Sequence, residues 1–171
     1  MILAQRPIVL LARPHPMIVT EMRRFLGENG YEPLPLSSLA ERPEAQGRPI
    51  AAGVISTSLT SQVREPVEEV ALRLREWYPD LPLVITTIAE RQMIARAVAR
   101  KLRDVLGTVA VLDVLEVSPG DARLGSPEHV LLLHRSDLSG ERSAEVGGVL
   151  RRHLTASSSR YGTYRAPTVR V

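Results

Sequence analysis

Apolar residues in this chain fall into short unbroken runs that alternate with stretches where they recur every three or four positions. The run Ile8 to Ala12 is aliphatic and too short for a helix, which predicts a strand covered on both faces. Pro16 suits the first turn of a helix, and Ile18, Met22, Phe25 and Leu26 give that helix one apolar stripe. Asn29-Gly30 supplies a left-handed stop before a second short strand from Tyr31 toward Leu36. The opening unit therefore reads β-α-β.

The alternation then repeats. Ile50 to Ser56 reads as a buried strand, followed by a helix opened by Pro66, with Val67, Val70, Ala71, Leu74, Trp77 and Tyr78 on one face and Pro79 as its stop. Leu83 to Thr87 is the next strand, and Ile94, Ala97, Val98, Leu102, Val105 and Leu106 define a helix closed by Gly107. Between Leu36 and Ile50 a short, poorly formed helix is expected. Val109 to Val117 and His129 to His134 both read as strands, separated by the turn-rich Ser118-Pro119-Gly120-Asp121 and Gly125-Ser126-Pro127. A last helix is expected over Ala144 to Leu154. Inside it Gly147-Gly148 costs ~1 kcal/mol per glycine relative to alanine, which signals close packing or fraying. From Thr155 onward the serines and scattered Arg and Tyr read as extended or disordered chain. The organisation is thus one α/β domain over 1–155 and a basic tail over 156–171.

Alternating strands and helices imply a doubly wound parallel sheet, whose ligands sit at the carboxyl ends of the strands. Those ends are Ala12 to Pro16, Ser56 to Ser61, Thr86 to Glu90 and His134 to Asp137. A chain of 171 residues with 44% hydrophobic content suits one domain with a full core. Cysteine is absent, which excludes disulfides, thiolate catalysis and Cys-ligated metals. With no basic leader and no apolar segment near ~20 residues, a soluble cytoplasmic protein with no membrane association is expected. The net charge of +3 is uneven: from Val146 onward there are five arginines and no acid, which leaves the body slightly negative. Lys101 is the sole lysine.

Two strand exits stand out for what they lack. Leu11-Ala12-Arg13-Pro14-His15-Pro16 and Val54-Ile55-Ser56-Thr57-Ser58-Leu59 contain no acidic residue, although Mg²⁺-dependent phosphoryl sites take their ligands from carboxylates at such positions. Around them, Ile8 to Leu36, Val54 to Ile88 and Val130 to Leu154 resemble the bacterial response-regulator receiver family. The matching stretches are Glu28-Asn29-Gly30-Tyr31-Glu32, Trp77-Tyr78-Pro79-Asp80-Leu81-Pro82 and Val130-Leu131-Leu132-Leu133-His134-Arg135-Ser136-Asp137. The resemblance implies a flavodoxin-like (CheY-like) sheet of five strands, plus an extra strand or hairpin near 109–117. Which of 109–117 and 129–134 takes the family's last strand position stays open.

By the same resemblance the family's acidic pair falls on Ala12 and Arg13, its phosphoacceptor on Ser56 or Thr57, and its lysine on His134 or Arg135. Only Thr87 matches the switch Ser/Thr. Arg13 in place of a carboxylate repels a divalent cation, so no metal, no cofactor and no aspartyl phosphorylation are expected. The leading expectation is a non-enzymatic, phosphorylation-independent pseudo-receiver that binds a protein partner in bacterial signalling. The family's working surface would span Arg91 to Lys101 and His134 to Arg152. Candidate partner-binding residues are Arg91, Arg135, Arg151 and Arg152, with Arg160, Tyr161, Tyr164 and Arg165 in the tail. Nucleic acid through the tail is open but less favoured, and a homodimer through the exposed strand Val109-Ala110-Val111-Leu112 is open as well.

A weaker resemblance is to cobalamin-binding domains, on Arg13-Pro14-His15-Pro16-Met17-Ile18, Thr57-Ser58-Leu59 and Thr86-Thr87. Arg13 replaces the aspartate that would orient the histidine, and bulkier residues replace the family's glycines. The alternative function is therefore a small-ligand domain for a corrinoid, nucleotide or anion, using Arg13, His15, Thr57, Ser58, Thr86 and Thr87. An enzyme is least favoured, because the Ser/Thr hydroxyls have no identifiable base held by a third group. Trp77 and Tyr78 read as core, Glu68-Glu69 as a solvated helix face, and Asp113 and Glu116 as pointing outward from an edge strand.

Overall fold

The computed structural model describes residues 5–13, 16–45, 47–57 and 64–163. Six parallel strands form one sheet: β1 (Ile8–Ala12), β2 (Glu32–Pro35), β3 (Ile50–Ser56), β4 (Leu83–Thr87), β5 (Ala110–Asp113) and β6 (His129–His134), in the order β2-β1-β3-β4-β6-β5. Helices α1 (Pro16–Glu28) and α4 (Ser143–Thr163) cover one face, and α2 (Val67–Trp77) and α3 (Arg91–Leu106) cover the other.

The alternation of strand side chains generates both cores. On β1, Val9 and Leu11 pack with Met22, Phe25, Val149 and Leu154, whereas Ile8 and Leu10 pack with Val70, Leu74 and Leu102. Both faces of β1, β3 and β4 are fully buried. This is why their sequences read as unbroken apolar runs. The expected α/β doubly wound parallel sheet is therefore the observed fold, and the open question about the last strand is answered. β6 pairs with β4 and takes the last family position, and β5 is the extra strand on its outer side.

Local details depart from the sequence expectations in four places. No helix forms among the described residues between Leu36 and Ile50; Pro43 and Pro49 lack N–H donors, and the segment is held as extended chain through the buried Leu36 and Leu39 and through Arg48, which reaches Arg6 O and Glu32. The strand expected over Val109 to Val117 stops at Asp113, whose carboxylate accepts from Leu115 N–H at 3.0 Å and starts a 3₁₀ turn at Val114–Glu116. Asp113 is not turned to solvent; it meets Arg91, and only Glu116 is exposed. The last helix runs to Thr163 instead of ending near Leu154, since Thr155 to Thr163 contains no proline and its one glycine falls at the end.

Gly147-Gly148 is a close-packing device. A Cβ on Gly147 would lie 2.5 Å from Asn29 Oδ1, and one on Gly148 3.3 Å from the Pro119 ring. Asn29 closes α1 by donating to Phe25 O at 2.8 Å, and Gly30 takes φ 91° as the predicted left-handed stop.

Candidate functional site

The carboxyl ends of β1, β3 and β4 converge on a crevice built around Arg13. This residue leaves β1 with φ 56°, a left-handed conformation uncommon for arginine, and is only 3% exposed. Its Nη2 donates to Thr57 O at 3.5 Å, while its buried Nε has no partner. Desolvation pulls its pKa below the usual arginine value, and the negative charge of Glu68 opposes that shift. Glu68 stands in the first turn of α2, and its Oε2 is buried without a hydrogen bond. Glu68 is thus turned into the fold toward Arg13, contrary to the solvated face expected for Glu68-Glu69; Glu69 does face solvent.

Hydroxyls supply the rest of the crevice. Thr57 Oγ1 donates to Thr87 Oγ1 at 3.2 Å, Thr87 Oγ1 also accepts from Ala89 N–H at 3.0 Å, and Thr57 N–H donates to Thr86 O at 3.0 Å. Ser56 and Thr86 are buried and line, with Leu11, Ala12, Ile18 and Met22, a hollow of about 10 Å³. That hollow is the space of one water molecule at most. The structure thus brings Ala12, Arg13, Ser56, Thr57, Thr86 and Thr87 together. His15 and Ser58 lie outside the described residues.

His134, expected in the lysine position, is used locally. Its Nδ1 accepts from Ser136 N–H at 3.1 Å, and its own N–H donates to Asp137 Oδ2 at 2.7 Å, capping the 3₁₀ turn Arg135–Leu138. Arg135 reaches α1 instead of the crevice, with Nε donating to Glu21 Oε2 at 3.2 Å.

A receiver fold implies Mg²⁺ at this crevice, and the donors present do not suit it. Mg²⁺ requires oxygen ligands, mostly carboxylates, whereas the side chain that closes β1 is a guanidinium, and the Thr57 carbonyl is already engaged by it. Among the described residues no group of three or more His, Asp or Glu side chains could hold a metal ion.

The expected partner surface is rebuilt by the extra strand. β5 lies along the outer edge of β6, and Val130 to Leu133, the middle of that strand, are fully buried, with only His129 and His134 at its ends reaching solvent. Arg91 is not a free surface cation: Nη1 donates to Asp113 Oδ1 at 2.9 Å and Nη2 to Asp137 Oδ1, which ties α3 to β5 and to the turn after β6. Arg151 donates to Asn29 Oδ1. Arg152 is exposed, whereas the side chains of Arg160 and Tyr161, and all of Tyr164 and Arg165, lie outside what is described. Trp77 and Tyr78 pack on the core as expected, with Arg42 over the Tyr78 ring at 5.1 Å.

Sequence reasoning missed two residues. Asp137, 5% exposed, receives both Arg91 and His134. The available signal was Arg91 itself, since a cation in a helix's first turn opposes the dipole and needs a carboxylate to hold it. His153 is fully buried on α4; Nδ1 accepts from Gly125 N–H at 2.9 Å and Nε2 faces Leu83 O at 3.3 Å. Burial lowers its pKa to about 4. Its signal was its place one turn beyond Val149 and Leu150, in the stripe that α4 buries.

Comparison with solved structures agrees with this architecture. The signal receiver domain of an HD domain-containing protein from Pseudomonas fluorescens Pf-5 superposes with a TM-score of 0.53 at 12% identity, covering 94% of this chain and 96% of that one. The fold is that of a receiver domain. A response regulator receiver domain protein from Clostridium thermocellum superposes with a TM-score of 0.50 at 9% identity, covering 90% and 98% of the two chains. No protein-family model matches the sequence, and no curated protein matches it. None of the described helices is long and apolar enough to cross a membrane.

Proposed function

We propose that this chain is a phosphorylation-independent pseudo-receiver, a non-enzymatic protein-interaction module of a cytoplasmic signalling system. The observation that carries the reading is Arg13: a buried guanidinium closes β1, at the position that the resemblance gives to a metal-binding carboxylate, and the negative charge of Glu68 offsets it only in part. A divalent cation brought to this crevice meets like charge at short range in a poorly screened setting. The resemblance gives the phosphoacceptor position to Ser56 or Thr57, and both hydroxyl residues are engaged in local structure. The receiver fold of the solved neighbours supports a signalling role, and the crevice supports one that does not pass through phosphate.

Incubation with acetyl phosphate, or with beryllofluoride and Mg²⁺, tests this. Unchanged intact mass and unchanged amide chemical shifts at Ser56, Thr57 and Thr87 are expected. Stoichiometric phosphorylation or beryllofluoride binding at the end of β3 would overturn the reading.

A further inference from the structure

The two edges of the sheet are built differently. On β2, Glu32 N–H donates to Pro7 O and Leu36 N–H to Leu11 O, both across to β1. In a parallel ladder alternate residues face the same neighbour, so Pro33 and Pro35 are the residues turned outward. Neither has an N–H, and that edge is closed to a further strand.

On β5 the arrangement is the reverse. Ala110 N–H donates to Glu128 O at 2.9 Å, and the register Ala110↔His129 turns Ala110 and Leu112 toward β6 and Val111 and Asp113 outward. Both outward residues carry an N–H, and the Asp113 side chain is drawn aside by Arg91. Helix α3 runs beside this edge, tied to it by Arg91 at one end and by Arg103 Nε donating to Val109 O at 3.4 Å at the other. Arg96, Arg100 and Arg103, spaced i, i+4 and i+7, form one exposed basic stripe along it. Glu90, the acid near Arg96, is occupied in capping α3 through Gln92 and Met93 N–H.

We propose that the β5 edge accepts an extended, acidic segment of a partner protein as a seventh strand, its carboxylates drawn by the positive field of Arg96, Arg100 and Arg103 on the neighbouring helix. The inference gives a partner class to the interaction module proposed above and rests on that reading. Backbone pairing supplies the binding and the arginine stripe the preference for acid. A second copy of this chain fits less well. Two β5 strands paired antiparallel about a two-fold axis would place both α3 helices on the same face of a continuous sheet, with their basic stripes opposed.

The test uses the whole chain and two fluorescein-labelled peptides, one alternating Val and Glu and one alternating Val and Lys, followed by anisotropy and by amide exchange. The Val-Glu peptide is expected to bind saturably, roughly tenfold tighter than the Val-Lys peptide, more weakly as salt rises, and to slow exchange at Val111 and Asp113. Val111→Pro, which gives β5 the proline block of β2, is expected to lower that affinity by roughly tenfold or more. Because proline at 111 can also disturb β5 itself, the fold-neutral surface pair Arg96→Glu/Arg100→Glu is measured alongside and is expected to invert the preference. Equal binding of the two peptides, binding untouched by Val111→Pro and by the charge reversal, or no saturation would overturn the proposal. So would a concentration-dependent dimer abolished by Val111→Pro, which would assign the edge to a second copy. The beryllofluoride experiment reports on the crevice at the strand ends, so failure of either reading is distinguishable from failure of the other.

Discussion

At the scale of single residues, the two groups that sequence reasoning passed over have the most measurable consequences. Arg91 bridges Asp113 and the buried Asp137, and removing the cation leaves the Asp137 carboxylate, among the described residues, with His134 N–H as its remaining partner. Arg91→Met is therefore expected to destabilise the fold by about 3 kcal/mol in urea unfolding. Adding Asp137→Asn should recover part of that loss, since the stranded charge goes with it; a merely additive double variant would contradict the account. His153 is a separate case, neutral in the fold with its pKa at about 4, against an ordinary value of 6.5. Between those pH values the unfolded chain binds the extra proton, so stability is full above the upper value and falls as pH drops toward the lower one. The span corresponds to on the order of 3 kcal/mol. Asp121, held at about 2 by Arg123, loses its contribution only at lower pH. Urea unfolding of wild type against His153→Leu should show the slope between the two pH values only in the wild type, with the variant losing the Gly125 N–H to Nδ1 hydrogen bond at every pH.

At the scale of elements, much was legible because secondary structure follows local periodicity. The aliphatic runs at Ile8, Ile50 and Leu83 and the stripes of α1 and α3 stand where the pattern put them. What failed depended on distant partners. Nothing local says that Asp113 will turn back to Arg91 and end β5, or that Glu68 will point in toward Arg13 while Glu69 points out. The crevice was legible in composition, as missing carboxylates, but not in conformation, because the left-handed turn at Arg13 is a tertiary outcome. The Gly147-Gly148 pair falls between: packing was one of two readings, and the geometry at Asn29 selects it. Gly147→Ala would displace Asn29 from Phe25 O and Arg151, a loss that outweighs the helix-propensity gain of about 1 kcal/mol. A net loss on the order of 1 kcal/mol is expected. Gly148→Ala, whose Cβ would stand a tight 3.3 Å from the Pro119 ring and 3.9 Å from Arg151 Nη2, requires a shift of only a few tenths of an ångström and should cost less than Gly147→Ala. In an Asn29→Ala background Gly147→Ala should become stabilising, and a thermal-melt cycle showing no change of sign would refute the packing role.

At the scale of the whole molecule, the extra strand changes what kind of surface a receiver fold presents. β6 would be an edge without β5; with it, β6 is an interior strand, and the register pairs Ala110 with His129 and Leu112 with Leu131. The connection from β5 to β6 is pinned to the body by His153 at Gly125 and by Arg75 at Pro127, and it contributes Val114, Val117 and Leu124 to the core shared by α1 and α4. An ornament on the fold would open independently, whereas a segment with buried side chains in the main core unfolds with it. Native-state amide exchange distinguishes the two. In a parallel ladder with this register, Val130 and Leu132 N–H donate to β5, while Leu131 and Leu133 N–H donate to β4. All four are expected to exchange only through global unfolding, with a common opening free energy and a common denaturant dependence, while Val111 and Asp113 exchange rapidly at the open edge. Faster exchange at Val130 and Leu132, with a shallow denaturant dependence, would mean that β5 detaches on its own. The β6 edge would then become available to partners in that open state.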